Sequence, residues 1–532
     1  ENKIKGVDKV EPAGPGFINI SLDQNSYKEI LKTFDEHFGS SNVGQNKKIM
    51  IEFGQPNTHK ALQLGHFKSA VTGLALSRMY ANIGYNVIKA NYFGDIGKHT
   101  ACCMWGILKH FDVKYTELDE KKSEKIIEKI KKIYEKDGVD EVAMFLDKSY
   151  VTGRKAIKDD EEIAKEIAEI NAKIYDSSDE NLLKIYKYTR DLSIEHQDKA
   201  FKQLDVVFDR QYPESEIWKT GRDIVLNNTK SETNPNGIFV KDQNAIIFPG
   251  KDYGLRTWVF LTSQGYPTYS GKDLGLAITK FKEHPDLELS IITTSVEQVE
   301  YFKGVIKAFE LLNPQYTGKY THVGFGWLLY EGKKMSSKTG KNVKYSDLIP
   351  EAKAIAKKKI SDLKKYDENE IDNIAEKIAI GGIKFAILSH ELHKDINYNP
   401  ESFLSFAGLS APYVTYAYAR ANGILNNAKY SELKFEGDLK EVLNEKEEMN
   451  LLKKINEFPN VAKNSGVNRT PHVICNYIFE LSELFNQFYN SQNVLDEADA
   501  QKKESRLALV YITKEILKKG LYLLGIETVE RM

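Results

Sequence analysis

Cysteine is scarce: three in 532 residues, Cys102, Cys103 and Cys475. Three thiols, none in a C-x-x-C pair, cannot staple a disulfide framework, and they disfavour a cysteine-based zinc module. No run approaches the ~18–20 consecutive apolar residues that a membrane-spanning helix needs. The N-terminus lacks the basic-then-apolar stretch of a secretory signal. Net charge is nearly absent too: 75 Lys and Arg stand against 76 Asp and Glu, a formal -1. Any surface for nucleic acid is therefore a local patch and not a field of the whole protein. These absences exclude a membrane protein and a disulfide-rich secreted scaffold, and make a reducing cytoplasm the expected compartment. What is present is ordinary, with 41% hydrophobic and 28% charged residues. Such a chain buries sizeable cores, at a length that suggests about three domains.

Residues 1–45 are polar, with turn chemistry at Ala13-Gly14-Pro15-Gly16 and one apolar run, Phe17-Ile18-Asn19-Ile20. That is too little for a core of its own. From Lys48 a strand is expected over Ile49–Phe53, broken by Gly54-Gln55-Pro56-Asn57, then a helix from about Leu64 to Asn82. Gly84 ends the helix, and Asn86–Tyr92 reads as a second strand. Strand, loop, helix, strand is a βαβ unit, which points to a nucleotide-binding parallel sheet. Over residues 115–200 the period changes. Ile126, Ile130 and Ile133, then Ile163, Ile167, Ile170 and Ile174, recur every three or four residues among Lys and Glu. This is an amphipathic helical insertion with a solvated charged face. Strand character returns at Gly237–Val240 and Ala245–Phe248, a hairpin, and at Leu289–Thr294. After about residue 384 the chain reads helical to its end.

Two segments carry the chemistry. In the first, Pro56–His66, a strand hands over to a helix at the carboxyl edge of the sheet, the usual ligand crevice of such folds. A helix N-terminus offers free N–H groups to phosphate. Gly65 lets a nucleotide approach the backbone, and His66 either donates to a phosphate oxygen or caps the helix. The second segment, Gly332-Lys333-Lys334-Met335-Ser336-Ser337-Lys338-Thr339-Gly340, is a glycine-bounded basic loop with hydroxyls. It suits gripping a polyphosphate and closing over it, or it is a solvated loop. His390-Glu391-Leu392-His393 is one residue short of the H-E-x-x-H zinc motif and reads as helix surface. Cys102 and Cys103 read as core.

The first segment resembles the HIGH signature of class I aminoacyl-tRNA synthetases and the second their KMSKS loop. Along nearly the whole chain the likeness narrows to the arginyl-tRNA synthetases. "EFGQPNTHKALQLGHFKSA" resembles their signature strand, loop and helix, and "NYFGDIGKH" at 91–99 their second strand and turn. "PTYSGKDLGLA" at 267–277 resembles the arginine-pocket helix, "GFGWLLYEGKKMSSKTG" the loop region, "APYVTYAYAR" at 411–420 the anticodon-binding helix, and "VERM" the family's ending. Two departures stand out. Gln63 replaces the first signature histidine, and "GPGFINI" represents only the last strand of the family's N-terminal domain, which reads the tRNA elbow. Gln donates one hydrogen bond but cannot carry the charge of an imidazolium.

The resemblance implies an α/β fold: a Rossmann-like parallel-sheet catalytic domain over 46–384, with its helical insertion at 115–200 and the loop at 332–340. An all-α anticodon-binding domain follows over 385–532, and 1–45 is a remnant of the elbow-reading domain with a linker. It implies ATP-dependent activation of L-arginine, assisted by Mg²⁺, then transfer to the 3′ end of tRNA(Arg), with tRNA bound before arginine is activated. The residues carried over for catalysis are Lys60, Gln63, His66, Lys334, Ser336 and Ser337; Gly65, His66, Lys334 and Met335 would hold ATP. Because Ser337 stands where the general class I loop has a lysine, Lys60 would supply the missing charge.

A guanidinium is a planar charged fork and needs carboxylate and hydroxyl acceptors. Tyr269 and Asp273, four apart at a helix start, share a face and match family residues that hold it, as does Glu214; Asn57 and Gln298 match residues that grip the α-amino and carboxylate end. The bland alternatives are a turn residue for Glu214, a surface amide for Gln298 and a helix cap for Asp273. Tyr413 and Tyr416 either pack or stack on anticodon bases, and Met532 would lie beside the anticodon loop. No metal ligands, structural zinc, editing domain or membrane contact are expected, and the chain is expected to be a monomer. A class I enzyme for lysine and a tRNA-binding relative without catalysis are the two rival readings.

Overall fold

The computed structural model describes residues 6–330, 333–334, 345–361, 367–433 and 435–532. Two antiparallel strands open it, β1 (Val7–Ala13) and β2 (Phe17–Leu22). The segment expected to supply one strand is thus a hairpin, and every residue of β2 is exposed.

The central sheet follows. Strand β3 (Lys48–Glu52) runs into helix α1 (Leu64–Asn82) and returns as β4 (Asn86–Phe93), the expected βαβ unit. Helix α2 (Lys98–His110) leads to the insertion, α3 (Glu120–Asp159), α4 (Glu161–Asp176) and α5 (Glu180–Gln203). The 40-residue α3 is broken at Gly138, whose φ of 81° only glycine adopts freely. Ile126, Ile130, Ile167, Ile170 and Ile174 are buried against α2 and Trp218 in a core of their own. Strand β5 (Arg210–Pro213) and helix α6 (Glu214–Asn227) come next. A small antiparallel sheet, β6 (Val240–Asp242), β7 (Ala245–Phe248) and β8 (Trp258–Leu261), starts with the expected hairpin. Its first strand lies slightly later than expected, because Gln243 and Asn244, both at positive φ, fix the turn. Helix α7 (Tyr269–Glu283), strand β9 (Leu287–Ser295), helix α8 (Val299–Leu312) and strand β10 (Tyr320–Phe325) complete the α/β layers.

The five strands of the central sheet are parallel in the order β10-β9-β3-β4-β5. The winding reverses between β3 and β9, and at that switch point the loops at the carboxyl ends part to form a crevice. Side chains alternate across β3: Ile49 and Ile51 enter the large core under α1, while Met50 enters the core on the other face.

Strands β11 (Leu328–Tyr330) and β12 (Lys333–Lys334) lead toward the basic loop. Beyond them lie helices α9 (Tyr345–Ser361) and α10 (Glu368–Leu388), then β13 (Ile396–Tyr398), which pairs in parallel with β11. His390–His393, expected on a helix, forms a turn. Helix α10 stops because Ser389 Oγ and His390 Nδ1 both turn back to the carbonyl of Ala386. The C-terminal bundle is α11 (Ala411–Ala428), α12 (Lys446–Asn468), α13 (Pro471–Ser491) and α14 (Ala500–Leu523). Its core is continuous with that under α1, and two cations stitch the join. Lys384 Nζ donates to the carbonyls of Leu204 at 2.8 Å and Gly525 at 2.5 Å. Arg78, near the end of α1, donates to the carbonyl of Tyr522 at 2.7 Å and pairs with Asp205.

Helix α1 sits hard on the sheet because residue 73 is glycine: a Cβ there would lie 2.0 Å from the Phe53 ring. Gly73→Ala should therefore cost about 1–3 kcal/mol of stability and weaken nucleotide binding by tilting the N-terminus of α1. Unfolding by denaturant, together with the KM for ATP, tests this; an unchanged pair of values would mean that Phe53 can yield.

Candidate active site

The crevice is a cavity of about 430 Å³ walled by the carboxyl ends of all five parallel strands. Asn57, Gln63, Gly65, His66, Glu214, Tyr269, Asp273 and Gln298 all line it. Eight residues spread over more than 240 positions of sequence converge on one space.

The loop from β3 to α1 is shaped by backbone and side chain together. Gly54 and Gln55 take positive φ, 91° and 53°. Ser69 Oγ accepts from the Gly54 N–H and Asn91 Oδ1 from that of Gln55, which holds the turn open toward the crevice. Asn57 pairs with Gly94 at the end of β4, where a Cβ on Gly94 would strike Asn57 Oδ1 at 2.2 Å. The next residue but one, His59, is fully buried at φ 61°. Its ring lies between the hydroxyls of Thr58 and Thr189, and its N–H donates to Ser193 Oγ. Gln197 donates to the Asn57 carbonyl, and the Ala61 N–H to Asp147. The insertion helices thus bolt the signature loop in place.

At the mouth of α1, Gln63 is the N-cap, and its N–H donates to Nδ1 of His66 at 3.1 Å. That bond fixes the tautomer, because an accepting Nδ1 puts the ring proton on Nε2. Burial, and then the nearby charge of Lys60, push His66 down to about 4, so the ring is neutral and offers one Nε2–H donor. A Cβ on Gly65 would meet no protein atom within 4 Å. The space beside this glycine belongs to whatever enters the cavity.

The far end is acidic. Glu52 is buried, pairs with Lys280 and accepts from Gln55 Nε2 at 2.8 Å. Glu214 Oε2 lies 2.6 Å from Lys272 Nζ. Asp273 Oδ2 accepts from the Tyr301 hydroxyl at 2.5 Å, and burial pushes its carboxyl up to about 7. The buried Tyr92 hydroxyl has no hydrogen-bond partner among the described residues, and Tyr92 lines the same wall. Tyr269 stands exposed at the rim and Gln298 at the start of α8. An anion-friendly helix end facing a pocket of carboxylates and phenols is equipped to hold a phosphate-bearing ligand beside a cationic one.

Two family models match this sequence. The one described as tRNA synthetases class I (R), catalytic domain, matches residues 29–399, and the one described as DALR anticodon binding domain matches 414–532. The arginine–tRNA ligase of Clostridium beijerinckii is 30% identical, over 99% of this chain and 88% of that protein. That of Fusobacterium nucleatum is 31% identical, over 99% and 87%. The chain belongs to the arginyl-tRNA synthetase family. The solved Thermus thermophilus arginyl-tRNA synthetase shares the fold, with a TM-score of 0.80 at 23% identity over 100% of this chain and 90% of that one. Family membership makes the chain a class I aminoacyl-tRNA ligase, an ATP-using class, and favours the arginine reading over both rivals.

Lys60 and the bundle residues expected of an arginyl-tRNA synthetase lie elsewhere. Lys60 does not line this cavity. It stands in an adjoining one of about 800 Å³, with its ammonium 4.6 Å from the centre of the Tyr150 ring. Asn57, Glu214 and Tyr269 form the wall common to both spaces. Met335, Ser336 and Ser337 fall outside the described residues; of Lys334 only the backbone is described, paired with Leu329 in β12. In the bundle, Tyr413 packs on Phe479 and accepts from Asn486 at 3.1 Å, while Tyr416 carries the Arg420 guanidinium 4.8 Å above its ring. Tyr418 and Asn422, on the opposite face of α11, grip Glu530, and Met532 packs against the core. The sequence reading missed Glu52, Lys68, Lys272 and Tyr301. Lys68 is a buried lysine in the cavity wall that burial lowers to about 8.

The double use of His66 can be separated. His66→Asn keeps an acceptor for the Gln63 N–H, His66→Ala removes it, and both lose the Nε2–H. The alanine variant should be about 1 kcal/mol less stable than the asparagine one, while both lose ~10²-fold in the ATP-dependent step. Thermal unfolding and ATP–pyrophosphate exchange measure the two effects. Full activity in His66→Asn would reduce the ring to a cap.

Proposed function

We propose that L-arginine and ATP meet in the crevice at the switch point and that the chain charges tRNA(Arg) with arginine in two steps. The observation that carries this reading is the deep end of the cavity, where the carboxylate of Asp273 faces the space without a basic partner among the described residues. In the first step the arginine carboxylate attacks the α-phosphorus of ATP and pyrophosphate leaves, giving arginyl-adenylate. In the second, the terminal ribose hydroxyl of the tRNA attacks the arginyl carbonyl and AMP leaves.

No side chain serves as a covalent nucleophile; rate comes from positioning and from donors aimed at the phosphates. Asp273, Glu214 and Tyr269 receive the guanidinium, and Asn57 and Gln298 the α-amino and carboxylate end. The N-terminus of α1, with Gln63, Gly65 and His66, receives the phosphates. Lys60 lends positive charge from the adjoining cavity, and Lys334, Met335, Ser336 and Ser337 belong to the loop that closes over ATP. Mg²⁺ carried by the nucleotide would neutralise phosphate charge; among the described residues no three His, Cys, Asp or Glu gather to hold an ion. Tyr413, Tyr416 and Met532 face the anticodon stem and loop.

The same reading has residues 46–384 as the catalytic domain and 385–532 as the anticodon-binding domain, acting as a monomer in the cytoplasm. The cytoplasmic reading is supported by three cysteines that are buried free thiols. None of the described helices is long and apolar enough to cross a membrane.

Charging of total tRNA with labelled arginine tests the activity. Asp273→Asn removes the ionised acceptor opposite a buried guanidinium, worth ~3–5 kcal/mol. KM for arginine should rise by about two to three orders of magnitude while KM for ATP stays put; an unchanged arginine KM would take Asp273 out of the pocket. Removing Met532 alone leaves Glu530 on Tyr418 and Asn422. It should raise KM for tRNA severalfold without touching arginine or ATP, and indifference of charging would make the terminus structural only.

A further inference from the structure

The arginine end of the cavity holds more charge than its substrate needs. Three acids, Glu52, Glu214 and Asp273, meet two lysines, Lys272 and Lys280, on or beside helix α7. Glu52 and Lys280 pair in the core, 2% and 0% exposed. Glu214 and Lys272 pair at 2.6 Å, and each side chain is 7% exposed. Asp273 follows Lys272 directly, so it points about 100° further round the helix. No salt bridge reaches it among the described residues; its bond is to a neutral phenol, Tyr301. Two acids cancel two lysines and one negative charge is left over.

We propose that Lys272 is a positioning residue that sets the charge of the substrate: by holding Glu214 in a buried ion pair it leaves Asp273 as the single uncompensated carboxylate, so the pocket takes one positive charge and no more. This rests on the arginine reading of the cavity. A guanidinium brings the site to neutrality. A neutral isostere leaves Asp273 bare, and without Lys272 two buried carboxylates would face one guanidinium. The pairing also explains the Lys272 surroundings. Its ammonium lies 5.5 Å from the Tyr175 ring centre and 5.9 Å from that of Tyr269, so aromatic faces from the insertion and the rim enclose the charge.

The groups facing these residues come from every wall. Asp273 feels Tyr301 from α8, Glu52 from β3, Glu214 from α6 and Lys280 from its own helix. Glu214 feels Lys272 and Asp95, and Asp95 is itself held by Arg190 at 2.8 Å. Lys272, although buried, is kept above the ordinary lysine range by Glu214 and Tyr175, so it stays charged. Burial raises Asp273 to about 7. Ionised Asp273 is therefore present above that pH and lost below it. In the wild type, arginine affinity should be level above pH 7 and fall about tenfold per pH unit below it, as each arginine displaces a proton.

Lys272→Met leaves Glu214 and Asp273 to share a proton. The plateau should move up by about one to two pH units, and arginine should release a proton at pH 8, where the wild type releases almost none. Calorimetric titration with L-arginine in two buffers of different ionisation enthalpy counts that proton directly. Lys272→Arg should keep the wild-type profile. Lys272→Met combined with Glu214→Gln, which removes both charges and keeps an acceptor, should bind arginine more weakly, since Glu214 also receives the guanidinium, but with the wild-type pH midpoint and proton count; this pair also answers the case where the single variant fails to fold. A Lys272→Met enzyme with the wild-type profile, or a double variant that still releases a proton at pH 8, would overturn the proposal. Failure of the wild type to bind arginine at any pH would overturn the reading of the cavity instead.

Discussion

The site depends on burying three carboxylates at the carboxyl end of a parallel sheet while leaving only one of them, Asp273, without a cation of its own. Each such ion costs several kcal/mol to bury unless it is paired and hydrogen-bonded. Glu52 ends the central strand β3, and Lys280 and Gln55 satisfy both of its oxygens. That arrangement clamps α7 to the middle of the sheet and holds Gln55 in the left-handed turn that starts the signature loop. Asp273 then stands on a helix whose position is already fixed. A pocket for a cation could not be built on a mobile element, because a shift of an ångström would open these pairs to water.

The insertion does more than its sequence suggests. Read alone, its Lys and Glu runs describe a solvated face, and most of them are one. Its inner residues Asp147, Thr189, Ser193 and Gln197 nevertheless hold the loop that carries Asn57, His59 and Ala61. His59 is buried and neutral, lowered to about 3 by burial and then by Arg190, so it contributes shape and not charge. An element 86 to 140 residues away in sequence thus sets the geometry of the signature motif.

What could be read from the sequence was what has a local cause. Strand β3 and helix α1 lie where periodicity and the Gly54–Asn57 breaker put them, and the insertion isoleucines point inward as their spacing requires. The pocket residues were legible only through resemblance, since nothing local marks Glu214 as a ligand and not a turn residue. Lys272 and Glu52 were out of reach for a clearer reason: each owes its role to a partner 58 and 228 positions away. The end of α10 was misread because the Ala386 carbonyl in its last turn is capped by Ser389 and His390, residues that a helical pattern does not distinguish from surface.

The outer half of α1 is covered by the C-terminal bundle: Gly466 approaches Ile83 and Met79, Arg469 bonds Tyr80 at 2.8 Å, and Arg78 reaches the carbonyl of Tyr522. The helix that presents its beginning to the nucleotide therefore has its end inside the neighbouring unit. Cutting the chain after the last strand would strip solvent protection from Leu74, Met79 and Ile83 and strand the Lys384 ammonium without the Gly525 carbonyl. The two units can be named separately, but they cannot be dissected: an isolated catalytic fragment would carry an exposed apolar helix at its centre and would have to be redesigned along α1 before it could stand by itself.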